Sequence, residues 1–169
     1  MLALSACKKS EIYSDIPVIE FKNYYFTLDT TGGANVEKLG IIISYKDGDG
    51  DIGLGDGDND PPFHSDTVNG KETNVYHYNL YEEFFELDTA TQTFKRIIKP
   101  NTTDSLVISG RVGNITPDGK HKAIRGDIDW QNDVPKYPEM SGVIKVRIRI
   151  YDRALHESNT VESPEIVLP

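Results

Sequence analysis

The densest chemistry in the sequence lies in one stretch, Asp47-Gly48-Asp49-Gly50-Asp51-Ile52-Gly53-Leu54-Gly55-Asp56-Gly57-Asp58-Asn59-Asp60. Six aspartates and five glycines fall within fourteen residues. The formal net charge is −9, and setting those six aspartates aside leaves −3. The acidity is therefore concentrated at one place. Hard cations such as calcium take about six to eight oxygen ligands at ~2.3–2.6 Å. Aspartate supplies carboxylate oxygens on a short side chain, and glycine lets the backbone curl so that carbonyls can join them. With no cation, crowded carboxylates repel one another or take up protons. The expected ligands are Asp47, Asp49, Asp51, Asp56, Asp58 and Asp60, with loop carbonyls and water completing the shell. Calcium is the expected cofactor, because magnesium keeps its waters and uses few carboxylates. Ile52 and Leu54 are the only apolar side chains of the loop and should dip into the core.

The spacing is not that of an EF-hand. Asp47, Asp49 and Asp51 fit positions one, three and five, but Ile52 stands where glycine is required and Asp58 where the bidentate glutamate belongs. The competing reading is a solvated acidic turn. Asp127, Asp129 and Asp152 are further carboxylates that would join the site if their strand ends lie nearby. For Asp152 the favoured expectation is local, accepting backbone donors within the turn Asp152–Asn159.

Other constellations are sparse. His64, His77, His121 and His156 form no zinc-type pair. There is no Gly-x-Ser-x-Gly and no phosphate loop. Glu82 and Glu83 are adjacent on an expected strand, so they should point to opposite faces. No catalytic residue is assigned. The aromatics Tyr76, Tyr78, Tyr81, Phe84, Phe85, Trp130 and Tyr137 are expected mainly in the core, with Trp130 and Tyr137 the best candidates for a sugar platform.

The elements that must position the loop read as strands. In Gly142–Tyr151, Ile144, Val146, Ile148 and Ile150 alternate with Lys145, Arg147 and Arg149, the pattern of a half-buried antiparallel strand. Leu39–Lys46 places Ile41, Ile43 and Tyr45 on one side. Ile124–Trp130 turns Ile124, Ile128 and Trp130 inward. Ser105–Val112 is β-rich, and Ile16–Phe26 carries Ile19, Phe21 and Tyr25 in step. Val75–Leu87 and Phe94–Ile98 read as a hairpin with a bulge near Phe84. Val161–Leu168 reads as an edge strand, because Pro164 cannot donate to a ladder. Seven or eight strands between Gly-, Asn-, Asp- and Pro-rich joints predict an all-β antiparallel β-sandwich over residues 16–169 with one long Asp/Gly-rich loop. A chain of 169 residues is long enough to fold without disulfides. A pI near 4.9 disfavours nucleic acid as a partner.

The lone cysteine, Cys7, follows Leu4-Ser5-Ala6. Leucine, two small residues and cysteine resemble the lipobox of bacterial lipoprotein precursors, in which cleavage before the cysteine precedes acylation. Residues 1–15 are then expected to hold a signal-peptide remnant, the lipidation site and a polar tether. Three stretches together resemble a group of uncharacterised Bacteroidetes lipoproteins. They are Leu4–Cys7, then Ile43–Leu54 with Asp60-Pro61-Pro62-Phe63, and Tyr151–Ala154 running on to Pro164-Glu165-Ile166. The last is similar to the final hairpin of bacterial immunoglobulin-like domains. The resemblance implies an immunoglobulin-like sandwich in the cell envelope, an outer-membrane lipoprotein anchored through Cys7, and no reaction. The expected function is a non-enzymatic, calcium-stabilised binding or structural module with a protein or glycan partner. The alternatives are a glycan-binding accessory surface protein and, less favoured, a calcium-dependent hydrolase.

Expressed behind a full signal peptide, the protein should partition into detergent, since each buried acyl methylene adds about 0.8 kcal/mol. Cys7→Ala should release it to the aqueous phase. An unlipidated wild type by mass spectrometry would refute this.

Overall fold

The computed structural model describes residues 12–33, 35–116, 122–135 and 142–169. Cys7, His121 and Tyr137 lie outside the described residues. All named elements are strands: β1 (Val18–Asp29), β2 (Val36–Asp47), β3 (Thr67–Val68), β4 (Lys71–Glu72), β5 (Leu80–Asp88), β6 (Thr93–Arg96), β7 (Val107–Gly110), β8 (Ile124–Asp133), β9 (Val143–Ile150), β10 (Val161–Glu162) and β11 (Ile166–Val167). The fold is an all-β antiparallel sandwich.

One sheet runs β1-β2-β8. In the other, β9 pairs with β5 on one edge and with β10 and β11 on the other, and β6 and β7 share the far edge of β5. A small hairpin, β3–β4, stands apart. The core draws on both sheets. Ile144, Val146, Ile148 and Ile150 are at most 2% exposed, and face Leu39, Ile41, Ile43 and Tyr45 of β2. Alternation thus sets the inner faces.

Two segments depart from strict alternation. Between Phe21 and Asn23 the register of β1 against β2 shifts. The bulge reverses the faces beyond it. Tyr24 and Phe26 turn toward the core, while Tyr25 turns outward and donates to Asp129 Oδ1 at 2.7 Å. Val75–Asn79 forms a turn, so β5 starts at Leu80. Glu82 then points inward, fully buried, and Glu83 outward between Arg149 (2.8 Å) and Arg96 (3.1 Å). The segment from Val161 is two short strands, separated by Ser163-Pro164-Glu165.

The cross-sheet contacts include one tight aromatic fit. Trp130 of β8 lies against Gly110 of β7, where an added Cβ would come within 2.3 Å of the indole. On the C-terminal side, Asn159 clasps β1. Its Oδ1 accepts from Ile19 N and its Nδ2 donates to Ile19 O, both at 2.8 Å.

Ile148→Ala should cost about 2–5 kcal/mol of stability, because it leaves a cavity in a closed core. Arg147→Ala removes a half-exposed ion pair with Glu162 and should cost under about 1 kcal/mol. Chemical denaturation of both variants checks the contrast, and equal losses would contradict the assigned faces.

Candidate metal centre

The inward row of β2 runs Leu39, Ile41, Ile43, Tyr45 and then Asp47. Period-two geometry therefore carries a carboxylate into a position that the preceding residues fill with hydrocarbon. Asp47 is 0% exposed. Its Oδ2 accepts from Asp51 N at 2.9 Å, which curls the loop back over it. Its Oδ1 is buried with no hydrogen-bond partner among the described residues.

Asp51 ties the loop to the turn after β9. Its Oδ2 accepts from Ala154 N at 2.9 Å, and its carbonyl accepts from Arg153 N at 3.3 Å. Asp152, 2% exposed, enters from that same turn. Its Oδ1 accepts from His156 N at 2.7 Å, and its Oδ2 lies 2.9 Å from His156 Nδ1. One oxygen each from Asp47, Asp51 and Asp152 lies within 4.8 Å of the other two. Oxygens around one ion at ~2.3–2.6 Å can be no farther apart than about twice that distance, so the three could share an ion. Asp49 and Asp51 each add a buried Oδ1 without a partner among the described residues. This buried aspartate cluster could hold a metal ion.

The charge state fits that reading. Burial pushes the Asp47 carboxyl up to about 7, with Asp49 adding to the rise and the Asp51 N–H opposing it. Burial also pushes Asp51 up to about 6, with Asp152 adding to it. Asp152 is raised by burial, against the bonds from His156. These carboxylates crowd one another away from water, and a cation would relieve the crowding.

Glycine makes the curl possible. Gly50 (φ +73°) and Gly53 (φ +139°) adopt left-handed backbone, and an added Cβ would come within 2.1 Å of Lys122 O and 2.5 Å of Asn114 Cα. Ile52 and Leu54 are buried, as expected of anchors. Thr116 donates to Gly50 O, and Gly48 N donates to Ser14 O at 2.8 Å.

The second half of the loop is held differently. Asp58 accepts from Arg153 Nη1 at 2.8 Å and Nη2 at 2.9 Å, and from Gly55 N at 2.8 Å. These bonds, that from Arg153 foremost, hold its carboxyl down at about 2. Arg111 donates to the carbonyls of His77 (2.7 Å), Gly55 (2.9 Å) and Phe63 (2.9 Å). Asp56 and Asp60 are exposed. The six expected ligands thus divide. Asp47 and Asp51 converge with Asp152, and the charge of Asp49 acts on both, whereas Asp58 pairs with Arg153, and Asp56 and Asp60 face solvent. Asp127 and Asp129 sit on the outer face of β8, where Asp127 pairs with Lys22 at 2.5 Å and Asp129 accepts from Tyr25. Sequence reasoning did not find the two arginines. The only signal for Arg153 was its place directly after Asp152 at a strand end.

Comparison with known proteins gives no match: no family model, no curated protein and no solved structure matches the chain.

Asp152→Asn should weaken divalent-cation binding about 10-fold or more, because affinity follows ligand charge count. Asp60→Asn should leave it unchanged. Titration calorimetry distinguishes them, and the reverse order would place the site in the outer half of the loop.

Proposed function

We propose that the chain is a non-enzymatic module of the bacterial cell envelope, anchored to the outer membrane by acyl chains on Cys7 and fastened by one calcium ion. The ion is held by Asp47, Asp49, Asp51 and Asp152. The observation that carries the metal part of this reading is the set of three buried carboxylate oxygens, on Asp47, Asp49 and Asp51, that have no partner among the described residues, and the anchor rests on Leu4-Ser5-Ala6-Cys7 alone. A buried charge without compensation is costly, and a divalent cation supplies that compensation. Three or four carboxylates with nearby backbone carbonyls favour calcium over magnesium, which holds its water shell and demands stricter geometry.

The ion would stabilise the sandwich by joining two segments distant in sequence. The loop leaves β2 of one sheet, and the Asp152 turn leaves β9 of the other. Ser14, at the end of the expected tether, bonds the loop at Gly48. The fastening therefore sits beside the point where the lipid-anchored segment would join the domain.

A second reading, a glycan-binding surface protein, has one observation in its favour. A groove of about 520 Å³ runs between the β3–β4 hairpin and β7, lined by Tyr78 and Tyr81 together with Lys71, Glu72, Asp104 and Ser109. Its size falls in the range of small-molecule sites. Trp130, one of the expected platform residues, is turned against Gly110 instead.

Extracellular calcium modules have dissociation constants of about 10⁻⁴–10⁻³ M. At roughly 10⁻⁴ M and about 2 mM free calcium, linkage gives about 1.8 kcal/mol of stabilisation. Chelation should then lower the melting temperature by about 4–7 °C for a domain of this size. Asp49→Ala with Asp51→Ala should remove the response while leaving the β-rich circular dichroism spectrum unchanged. Identical melting curves of the wild type in calcium and in EDTA would refute the calcium reading.

A further inference from the structure

A second polar group is buried between the sheets, away from the aspartate cluster. Glu82 is 0% exposed on the inner face of β5. Its neighbours in the sheet are Ile148 of β9 and Ile108 of β7. From the opposite sheet, Asn132 of β8 donates its side-chain amide to Glu82 Oε2. Glu82 Oε1 and Trp130 Nε1 are both buried without a hydrogen-bond partner among the described residues. The indole N–H opposes the rise that burial imposes on the Glu82 carboxyl. Few groups other than hydrocarbon surround the carboxyl. On the strands that pack against it, Arg147, Arg149 and Glu83 point to the outer face. On the opposite sheet, Lys38 and Asp133 pair with each other on the outer face at 2.5 Å. Glu37 and Tyr24 are the titratable residues on the inward parity of β2 and β1 at this end.

We propose that Glu82, Asn132 and Trp130 form a proton-operated fastener between the two sheets: the protonated carboxyl keeps β5 closed against β8, and its ionisation loosens that contact. The geometry supplies the mechanism. Asn132 and the indole both offer N–H donors, which can serve either form of the carboxyl, so it is burial that penalises the carboxylate: it would be a buried charge with no cation beside it among the described residues. Burial holds the Glu82 carboxyl up at about 8, against the indole's pull. An acid whose folded value is raised contributes stability fully below its unfolded value, about 4.3. That stability is lost as pH rises through about 8. The fastener is therefore closed at neutral pH and released on the alkaline side.

The test uses the only tryptophan of the chain, Trp130, as reporter. The full-length protein is titrated from pH 6 to 9.5 in EDTA, following Trp130 emission, with denaturant unfolding at each pH, for the wild type and Glu82→Gln. Asp47 and Asp51 also titrate near the lower end of this range, but they are common to both proteins and cancel in the difference. Working in EDTA keeps the outcome independent of whether an ion binds the aspartate cluster. The wild-type emission should pass through a transition centred near pH 8 that Glu82→Gln lacks. The folding constant of the wild type should fall relative to the variant by an amount approaching ~100-fold between pH 6 and 8, the limit for one proton. Flat wild-type emission overturns the proposal by itself, whether or not the variant folds. A transition that persists in Glu82→Gln belongs to another group and overturns it too.

Discussion

The architecture depends on one placement: Asp47 continues the buried hydrophobic row of β2. Four inward positions carry Leu39, Ile41, Ile43 and Tyr45, and the fifth carries a carboxylate with no access to water. A lone carboxylate there would have to shed its charge or find a partner. The loop responds by folding back, so that Asp51 N bonds Asp47. That curl brings Asp49 and Asp51 in, and Asp51 in turn binds the turn bearing Asp152. One strained electrostatic position thus organises the loop, the end of β9 and the cluster between them.

The arginines make the arrangement directional. Arg153 and Arg111 neutralise or tie down the outer half of the loop. Were Arg153 to reach the inner aspartates instead, the cluster would be an internal ion pair. Its bidentate grip on Asp58 prevents that. The same turn carries Ser158 and Asn159, which bond Ile150 of β9 and Ile19 of β1. The two sheets are consequently joined by polar contacts at several points: the aspartate cluster, the Asn159 clasp and the Glu82–Asn132 bond. Hydrocarbon between them supplies bulk stability, and the polar contacts fix which residues face each other.

Much of the sandwich was legible because burial on one face imposes period two. Ile144–Ile150 and Leu39–Tyr45 read correctly for that reason. The β1 bulge was not legible, since Ile19, Phe21 and Tyr25 and the alternative set Tyr24 and Phe26 are all aromatic or aliphatic. Only pairing with β2 decides between them. The inner half of the acidic loop was legible from charge density and glycine spacing. Its partition was not, because Asp58 resembles Asp49 in sequence and differs only in lying near Arg153, 95 positions away. Glu82 shows the same limit. Alternation predicts that Glu82 and Glu83 part, and it carries Glu82 onto the face of Leu80 and Phe84, but nothing in the pattern marks a carboxyl as a core residue.

The most direct test of the aspartate cluster is diffraction from crystals grown with calcium, with terbium substituted to locate the site by its anomalous signal. One peak about 2.3–2.6 Å from oxygens of Asp47, Asp51 and Asp152, with Asp49 as the fourth carboxylate, is the predicted result. Asp58 should remain on Arg153. A peak at Asp56 or Asp60 instead, or no peak at saturating metal, would contradict the assignment of this cluster as the metal centre.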